Sequence, residues 1–329
     1  MLELKQLMIG YRRGKELRRL TPSLSFSAEV GELTALVGPN GVGKSTLLKT
    51  LARQHPPLEG HVIMNGHRWD HHDRETFARI CSYVPSGMLP VSRMSVFDTV
   101  AMARYPYTGW RGQLTARDRE IVEQALERVG MLTKREEMTG ELSDGERQRT
   151  LVARALAQGT QVVLLDEPTA FLDIPNRYEL LQTMRELSRT ENKLFIFSSH
   201  DLEFLLGTAD RIWLLYPGAA WEGCPEDLLM HRRFDPLFRN TGIRYDPEKG
   251  LLIPHPSHDR PVVLSGRGTS YQWLKKALER SGYIVSDSHH DLRAPEIYAS
   301  EEGFVLEQRG ERLTFDTILE LLVHLRKEK

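Results

Sequence analysis

Apolar and polar residues alternate over Leu2–Ile9, which is the pattern of a strand with one buried face. Another short strand is predicted at Leu24–Phe26. Two unbroken apolar runs, Leu33–Val37 and Val162–Leu165, predict strands of a parallel sheet that are buried on both faces. Between these runs, Asp118–Val129 carries apolar residues at helical spacing. The pattern therefore predicts an α/β fold with parallel strands in its sheet and a helix-rich block at about residues 88–158.

The pattern changes after residue 245. Residues 246–256 are rich in proline and glycine and are predicted to form a linker. Beyond them, strand-like and helix-like segments follow in the order β-α-β-β-β-β-α: Pro261–Leu264, Thr269–Ser281, Tyr283–Val285, Glu296–Ala299, Phe304–Glu307, Arg312–Phe315 and a helix capped by Asp316. We therefore expect a core domain at residues 1–245 and a small α+β accessory or regulatory domain at residues 246–329. A unit of this size is near the lower limit for independent folding.

A phosphate-binding loop pattern, G-x-x-x-x-G-K-[ST], follows the first buried apolar run. The loop and the residue after it are Gly38, Pro39, Asn40, Gly41, Val42, Gly43, Lys44, Ser45 and Thr46. The glycines allow backbone N–H groups to surround the β- and γ-phosphates, while Lys44 brings a positive charge to them. Ser45 offers a hydroxyl to Mg²⁺. The loop thus predicts a nucleoside triphosphate site, with Lys44 in a catalytic role.

Two carboxylates, Asp166 and Glu167, end the second buried run. Ligands of open α/β sheets bind at the carboxyl ends of the strands, so both side chains are expected beside the phosphate loop. We expect Asp166 to hold Mg²⁺ through water. Glu167 is expected to act as the general base that activates the attacking water.

The segment Leu142–Glu146 lies between the phosphate loop and these carboxylates, and Ser143 is suited to begin a helix whose N-terminus receives an anion. This segment resembles the LSGGQ signature of ATP-binding-cassette (ABC) ATPases, and five motifs follow that family's order over roughly residues 1–240. The resemblance implies a P-loop ATPase core that binds ATP, with a mixed sheet and a helical subdomain at about residues 88–158. It also implies a head-to-tail homodimer in which Ser143 and Gly145 contact the ATP of the partner chain.

The same resemblance assigns roles to three more residues. Asp173 corresponds to the D-loop aspartate and His200 to the switch histidine that donates a hydrogen bond to the γ-phosphate. Tyr11 corresponds to the aromatic residue that stacks on adenine. The alternatives are a hydrogen-bonded strand-end histidine for His200 and an ordinary surface tyrosine for Tyr11.

Two segments depart from the family's pattern. Ser86 stands where the Q-loop glutamine is usual, and its shorter side chain reaches Mg²⁺ only through water or after the loop moves inward. In the signature, Asp144 and Glu146 replace glycine and glutamine. Their negative charges are expected to weaken binding of the partner's ATP unless Arg147 and Arg149 offset them or the carboxylates point away along the helix. We expect slower or more tightly controlled hydrolysis.

Composition narrows the class of partner. The 329 residues include 44 Lys and Arg against 45 Asp and Glu, so no strongly basic balance indicates a nucleic-acid partner. Two cysteines without a C-x-x-C pair suit a reducing compartment. No apolar run approaches the ~18 residues of a membrane span, and the first residues lack a signal-peptide pattern. We expect a cytoplasmic protein, held at the inner face of the cell membrane by a partner.

The aromatic segment Tyr105–Trp110 resembles a region of the ABC ATPases that serve iron-siderophore, haem and cobalamin importers. A locally packed turn and a contact with a permease remain alternatives for it. The resemblance implies an ATPase that uses ATP and Mg²⁺, with an integral-membrane permease as partner and, indirectly, a substrate-binding protein. The rival hypotheses are a soluble ABC ATPase of DNA repair or translation and an ATP-binding switch with little turnover.

Overall fold

The computed structural model describes residues 1–14, 16–87, 93–108, 112–170, 172–239, 243–246, 251–254, 260–287, 294–308 and 310–327. The chain divides into two compact units, Met1–Leu237 and Phe238–Lys329. Within the described residues, no helix combines the length and the apolar character needed to span a bilayer.

The first unit is built from twelve labelled strands and the helices between them. The strands are β1 (Leu2–Met8), β2 (Gly10–Arg13), β3 (Glu16–Arg19), β4 (Ser27–Ala28), β5 (Leu33–Val37), β6 (Glu59–Met64), β7 (His67–Arg68), β8 (Cys81–Val84), β9 (Val162–Leu165), β10 (Leu194–Ser198), β11 (Arg211–Tyr216) and β12 (Ala219–Gly223). The helices are α1 (Lys44–Leu51), α2 (Arg74–Ile80), α3 (Val96–Ala101), α4 (Ala116–Arg128), α5 (Asp144–Ala157), α6 (Ile174–Thr190), α7 (Leu202–Thr208), α8 (Pro225–Met230) and α9 (Asp235–Phe238), which crosses the division between the units.

A six-stranded mixed sheet in the order β12-β11-β5-β10-β9-β8 forms the centre of this unit. All its neighbours run parallel except β11 and β12. Every residue of β5, β9 and β10 is buried, as their unbroken apolar sequences predict. Because parallel strands place their carboxyl ends at one edge, the phosphate loop after β5 lies beside the residues that follow β9 and β10.

A second sheet, in the order β4-β1-β6-β7, packs its apolar residues into the same core cluster, and β2 pairs with β3 in a separate hairpin. β1 confirms the strand predicted at Leu2–Ile9. Leu24–Phe26 is not a strand: Leu24 makes one isolated bridge to Leu7, and pairing to β1 resumes only at β4.

The helical subdomain contains α3, α4 and α5, joined by 3₁₀ segments at Met102–Tyr107 and Leu132–Lys134. A buried ion pair fixes its centre. Arg104 Nε donates to Asp118 Oδ1 at 2.9 Å, and Arg104 Nη1 donates to the carbonyl of Ala157 at the end of α5 at 2.9 Å. The guanidinium also lies over the Tyr107 ring, 3.9 Å from its centroid. Arg104 therefore connects the start of α4 to the end of the signature helix.

From β15 onward, the second unit has the predicted order of elements. Its elements are β13 (Ile243–Asp246), β14 (Leu251–Pro254), β15 (Arg260–Gly266), α10 (Gly268–Arg280), β16 (Tyr283–Ser286), β17 (Glu296–Ala299), β18 (Phe304–Gln308), β19 (Glu311–Phe315) and α11 (Ile318–Lys327). A five-stranded sheet in the order β16-β15-β17-β18-β19 shares a core cluster with α10 and α11.

Two details of the second unit differ from the sequence predictions. β13 and β14 form an antiparallel pair within the stretch expected to be a linker, and the predicted boundary after residue 245 falls inside β13. Thr317 rather than Asp316 caps α11, because Thr317 Oγ1 accepts the Glu320 N–H while the Glu320 carboxylate accepts the Thr317 N–H. Residues 247–250 and 255–256 of that linker, and Trp110 of the aromatic segment, lie outside the described residues.

We expect Arg104→Met to lower the free energy of unfolding by about 3–5 kcal/mol, because it leaves the Asp118 carboxylate buried without its charge partner. Arg135→Met is the matched control, since Arg135 pairs with Glu123 on the surface of the same subdomain and such a pair contributes at most about 1 kcal/mol. Urea denaturation followed by circular dichroism measures both. Equal losses of unfolding free energy in the two variants would show that the buried pair stabilises the protein no more than the surface pair does.

Candidate nucleotide site

The loop between β5 and α1 has the backbone that a phosphate cradle requires. Gly43, the residue before α1, has φ 115°, and Gly38 has φ 155°. A Cβ atom at Gly38 would lie 2.4 Å from the carbonyl oxygen of Leu215, so a side chain is excluded there. Val42 is buried in the core and anchors the loop from below. Close packing at Gly38 and Val42 therefore fixes this loop directly before the N-terminus of α1, the end of a helix that favours an anion.

Lys44 is only 6% exposed and lies within this loop. Its Nζ donates to the carbonyl oxygens of Gly38 at 2.7 Å and Pro39 at 3.1 Å. Burial lowers the pKa of Lys44, and the carboxylates of Glu167 and Asp166 partly offset that effect. Among the described residues, the hydrogen bonds of this buried cation go to neutral carbonyls, which suits the recognition of an anion.

An open cavity of about 260 Å³ adjoins the loop. The residues lining it are Tyr11, Arg18, Leu20, Asn40, Gly41, Gly43, Lys44, Ser45, Thr46 and Glu167. The Tyr11 hydroxyl lies 2.8 Å from Thr46 Oγ1, and its ring is 5.0 Å from the His55 ring. The structure therefore brings Tyr11 from the β2-β3 hairpin to the phosphate loop.

Arg18 and Leu20 also line the cavity, although the sequence analysis did not select them. Arg18 lies opposite Tyr11 in the register of the β2-β3 hairpin. The pairing of Arg18 with Tyr11 was predictable from the sequence, because Gly14 favours a tight turn that pairs the residues on either side of it.

Asp166 and Glu167 follow β9 at the same edge of the sheet. Asp166 is 1% exposed, and its Oδ1 accepts a hydrogen bond from Ser198 Oγ at 2.7 Å. Among the described residues, its buried Oδ2 has no hydrogen-bond partner. Glu167 turns into the cavity, and its Oε1 lies 2.9 Å from His200 Nε2. The structure therefore brings the predicted base and the predicted switch histidine into direct contact.

Ser143 begins the signature helix α5, as predicted, and Glu146 occupies its polar groups. Glu146 Oε2 accepts from the backbone N–H and the hydroxyl of Ser143, both at 2.9 Å, while Oε1 accepts from Lys134 Nζ at 2.8 Å. The hydrogen bond from Lys134 and that from the Ser143 backbone lower the pKa of Glu146 to about 2. Its charge is therefore offset by Lys134, which the sequence analysis missed, and not by Arg147 or Arg149.

An ion pair and hydrogen bonds connect the other signature and D-loop residues. Arg147 pairs with Asp144, whereas Arg149 donates to Asn176 Oδ1 at 2.5 Å. Asn176 in turn donates its backbone N–H to Asp173, the residue that caps α6, at 3.1 Å. Signature helix and D-loop helix are thus joined by one polar chain.

Three further predicted site residues, Gly145, Ser86 and Asp173, do not line the cavity. Gly145 lies against Leu172, to whose Cδ2 an added Cβ would be 3.1 Å. Ser86 is exposed two residues beyond β8 and is absent from the described cavity lining. Asp173 is exposed as well, and the structure places neither it nor Ser143 in the lining of this chain's own cavity.

Comparison with known proteins agrees with this geometry. A family model described as ABC transporter matches residues 22–170, and one described as iron ABC transporter C-terminal domain matches residues 259–326. The achromobactin transport ATP-binding protein of Dickeya dadantii (strain 3937) is 36% identical over 261 residues, covering 79% of this chain and 93% of that protein. The petrobactin import ATP-binding protein FpuD of Bacillus anthracis is 34% identical over 258 residues, covering 77% and 93%.

Solved structures agree on the fold. A metal-chelate type ABC transporter in an inward-facing conformation matches with a TM-score of 0.63 at 27% identity, covering 72% of this chain and 88% of that one. The predicted P-loop core with its mixed sheet and helical subdomain is thereby confirmed. The chain therefore belongs to the ATP-binding proteins of ABC transporters and is an ATPase of that family.

Proposed function

We propose that this ATPase powers the import of an iron-siderophore, haem or cobalamin-type chelate through a membrane permease. Two relatives are named for achromobactin transport and petrobactin import, and the second unit matches a domain described for iron ABC transporters. In this proposal the chain acts as a homodimer on the inner face of the cell membrane, and a substrate-binding protein delivers the chelate to the permease. The match of the second unit to a domain described for iron ABC transporters is the observation that carries the proposal.

The cavity residues support a division of labour in hydrolysis. Lys44 supplies positive charge to the β- and γ-phosphates, and its burial strengthens that interaction. Glu167 accepts the proton of the attacking water as general base. His200 holds Glu167 through the 2.9 Å hydrogen bond, in which Nε2 is the donor because the carboxylate can only accept. Tyr11 stacks on adenine, and Asn40, Gly41 and Gly43 surround the phosphates.

The donor set fits Mg²⁺, which prefers oxygen ligands and keeps several waters. Ser45 presents a hydroxyl to the cavity, and Asp166 retains one buried oxygen without a hydrogen-bond partner among the described residues. We propose that Ser45 and Asp166 hold the ion, with Ser86 as a further ligand through water. When bound, Mg²⁺ would neutralise charge on the β- and γ-phosphates.

The signature supports a site shared between two chains. Ser143 and Gly145 lie apart from the cavity lining of their own chain, as expected for groups that serve the ATP of a partner. Asp173 is connected to the signature helix through Asn176 and Arg149, and we propose that it also faces the partner chain. Residues 246–329 are proposed as an accessory module that regulates or braces the dimer.

One observation favours a second candidate function, an ATP-binding switch with little turnover. Glu146 already accepts from both polar groups of Ser143. A γ-phosphate from a partner chain must displace this carboxylate before it can use the same donors. The contact therefore opposes assembly of the shared site and makes slow hydrolysis an expected property.

Glu167→Gln is expected to retain ATP binding and to lower turnover by about 10²–10⁴-fold, because it removes the base without touching the phosphate cradle. An ATP-bound dimer should then accumulate. Sedimentation velocity with ATP and Mg²⁺, with ADP as the control, measures the dimer. Turnover at the parent rate would exclude Glu167 as the base.

Ser143→Arg and Lys44→Ala are each expected to be inactive alone and to complement each other when mixed. A mixed dimer has one site with both defects and one intact site, so an equimolar mixture should recover about a quarter of the parent activity. ATP hydrolysis across a range of mixing ratios measures this. Absence of recovery at every ratio would count against a signature that acts across the interface.

Glu146→Gln is expected to raise turnover and ATP-dependent dimerisation several-fold, on the order of 1 kcal/mol, because it removes a negative charge from the anion-receiving end of α5. Glu136→Gln is the control, since Glu136 pairs with Arg135 on the exposed surface. Steady-state hydrolysis and sedimentation measure both variants. If Glu146→Gln is no faster than the parent, the carboxylate does not restrain the signature.

A further inference from the structure

Ser198 is a polar residue at the end of a strand that is otherwise apolar. It is the last residue of β10, is 0% exposed and stands two residues before His200. Its Oγ donates to Asp166 Oδ1 at 2.7 Å and accepts the Glu167 backbone N–H at 2.8 Å. A serine hydroxyl has one hydrogen to donate, so both directions are determined by the partners. One buried hydroxyl therefore connects two neighbouring residues of the candidate site.

Glu167 needs such support because its backbone is unusual. It has φ 54°, the left-handed region that residues other than glycine rarely adopt. This conformation turns the chain after β9, so that the Glu167 side chain enters the cavity and reaches His200. Strained backbones of this kind persist where surrounding contacts determine them. The hydrogen bond from the Glu167 N–H to Ser198 is such a contact.

The same hydroxyl fixes the rotation of the Asp166 carboxylate. Oδ1 is committed to Ser198, while Oδ2 is buried and has no hydrogen-bond partner among the described residues. The backbone N–H of Asp166 is held separately by the carbonyl of Val84 at 2.8 Å. Ser198 thus decides which carboxylate oxygen remains available to a ligand.

We propose that Ser198 is a positioning residue for ATP hydrolysis, whose single hydroxyl holds Glu167 in its left-handed conformation and orients the Asp166 carboxylate. This inference rests on the proposed roles of Asp166 and Glu167. Ser198 lies in the segment that carries His200, and it acts through the Glu167 backbone and the Asp166 carboxylate rather than through contact with ATP.

The test compares two serine-to-alanine variants of the full chain. Ser198→Ala should lower kcat for ATP by about 10- to 100-fold, as small misplacements of reacting groups do, while KM for ATP changes less than about twofold because the phosphate loop is intact. Ser82→Ala is the matched control: Ser82 is also buried, at 2% exposure, and bonds to Thr160 Oγ1 at 2.9 Å in the same sheet. It should keep the parent kcat.

Hydrogen exchange gives a readout that is independent of turnover and of bound metal. Without nucleotide or Mg²⁺, the peptide that contains Glu167 should exchange faster in Ser198→Ala than in the parent, since the Glu167 N–H loses its acceptor. Ser82→Ala should leave that peptide unchanged. An unchanged peptide in Ser198→Ala, a parent-like kcat, or an equal loss of kcat in both variants would overturn the positioning role.

Glu167→Gln, assayed in parallel, distinguishes failure of the Ser198 proposal from failure of the proposed base. If it is inactive while Ser198→Ala turns over at the parent rate, the Ser198 inference fails and the proposed base stands. If Glu167→Gln hydrolyses ATP at the parent rate, the proposed base fails, and the role of Ser198 in holding it fails too.

Discussion

Parallel pairing of three buried strands, β5, β10 and β9, is the constraint on which the rest of the structure depends. Phe197 of β10 lies opposite Ala35 of β5 on one side and Leu165 of β9 on the other. The three strands therefore end within two residues of one another. Each continues into a different part of the candidate site, so this register brings the phosphate loop, the two carboxylates and His200 to one edge of the sheet.

Three charged side chains at this edge are each held by a specific hydrogen-bond partner. Lys44 is held by carbonyls, Asp166 by a hydroxyl and Glu167 by a histidine. Lys44 and Glu167 line the cavity, and among the described residues Asp166 Oδ2 has no hydrogen-bond partner. Away from the edge, Glu146 is neutralised by Lys134 and covers Ser143. In the proposed homodimer, this site binds ATP and is completed by the signature of the second chain.

Motifs and periodicity predicted most of the fold because they act over short stretches of chain. Glu167 lines the cavity beside the phosphate loop, where its position after a buried strand predicts it, and the order of elements from β15 to α11 followed from alternation and helical spacing. Ser198 and Lys134 were missed because their partners are distant in sequence, and a lone hydroxyl or lysine carries no spacing signal. Leu24–Phe26 has strand-like composition but only a single bridge, since composition does not decide whether a neighbouring strand is within reach.

The dependence of ATP turnover on protein concentration tests the shared site most directly. Specific activity and sedimentation are measured in the same buffer, with ATP and Mg²⁺, over a dilution series that takes the chain from dimer to monomer. The account predicts that turnover per chain falls in step with the dimer fraction, because each phosphate loop needs the signature of a partner. A chain that sediments as a monomer and still hydrolyses ATP at the undiluted rate would contradict it.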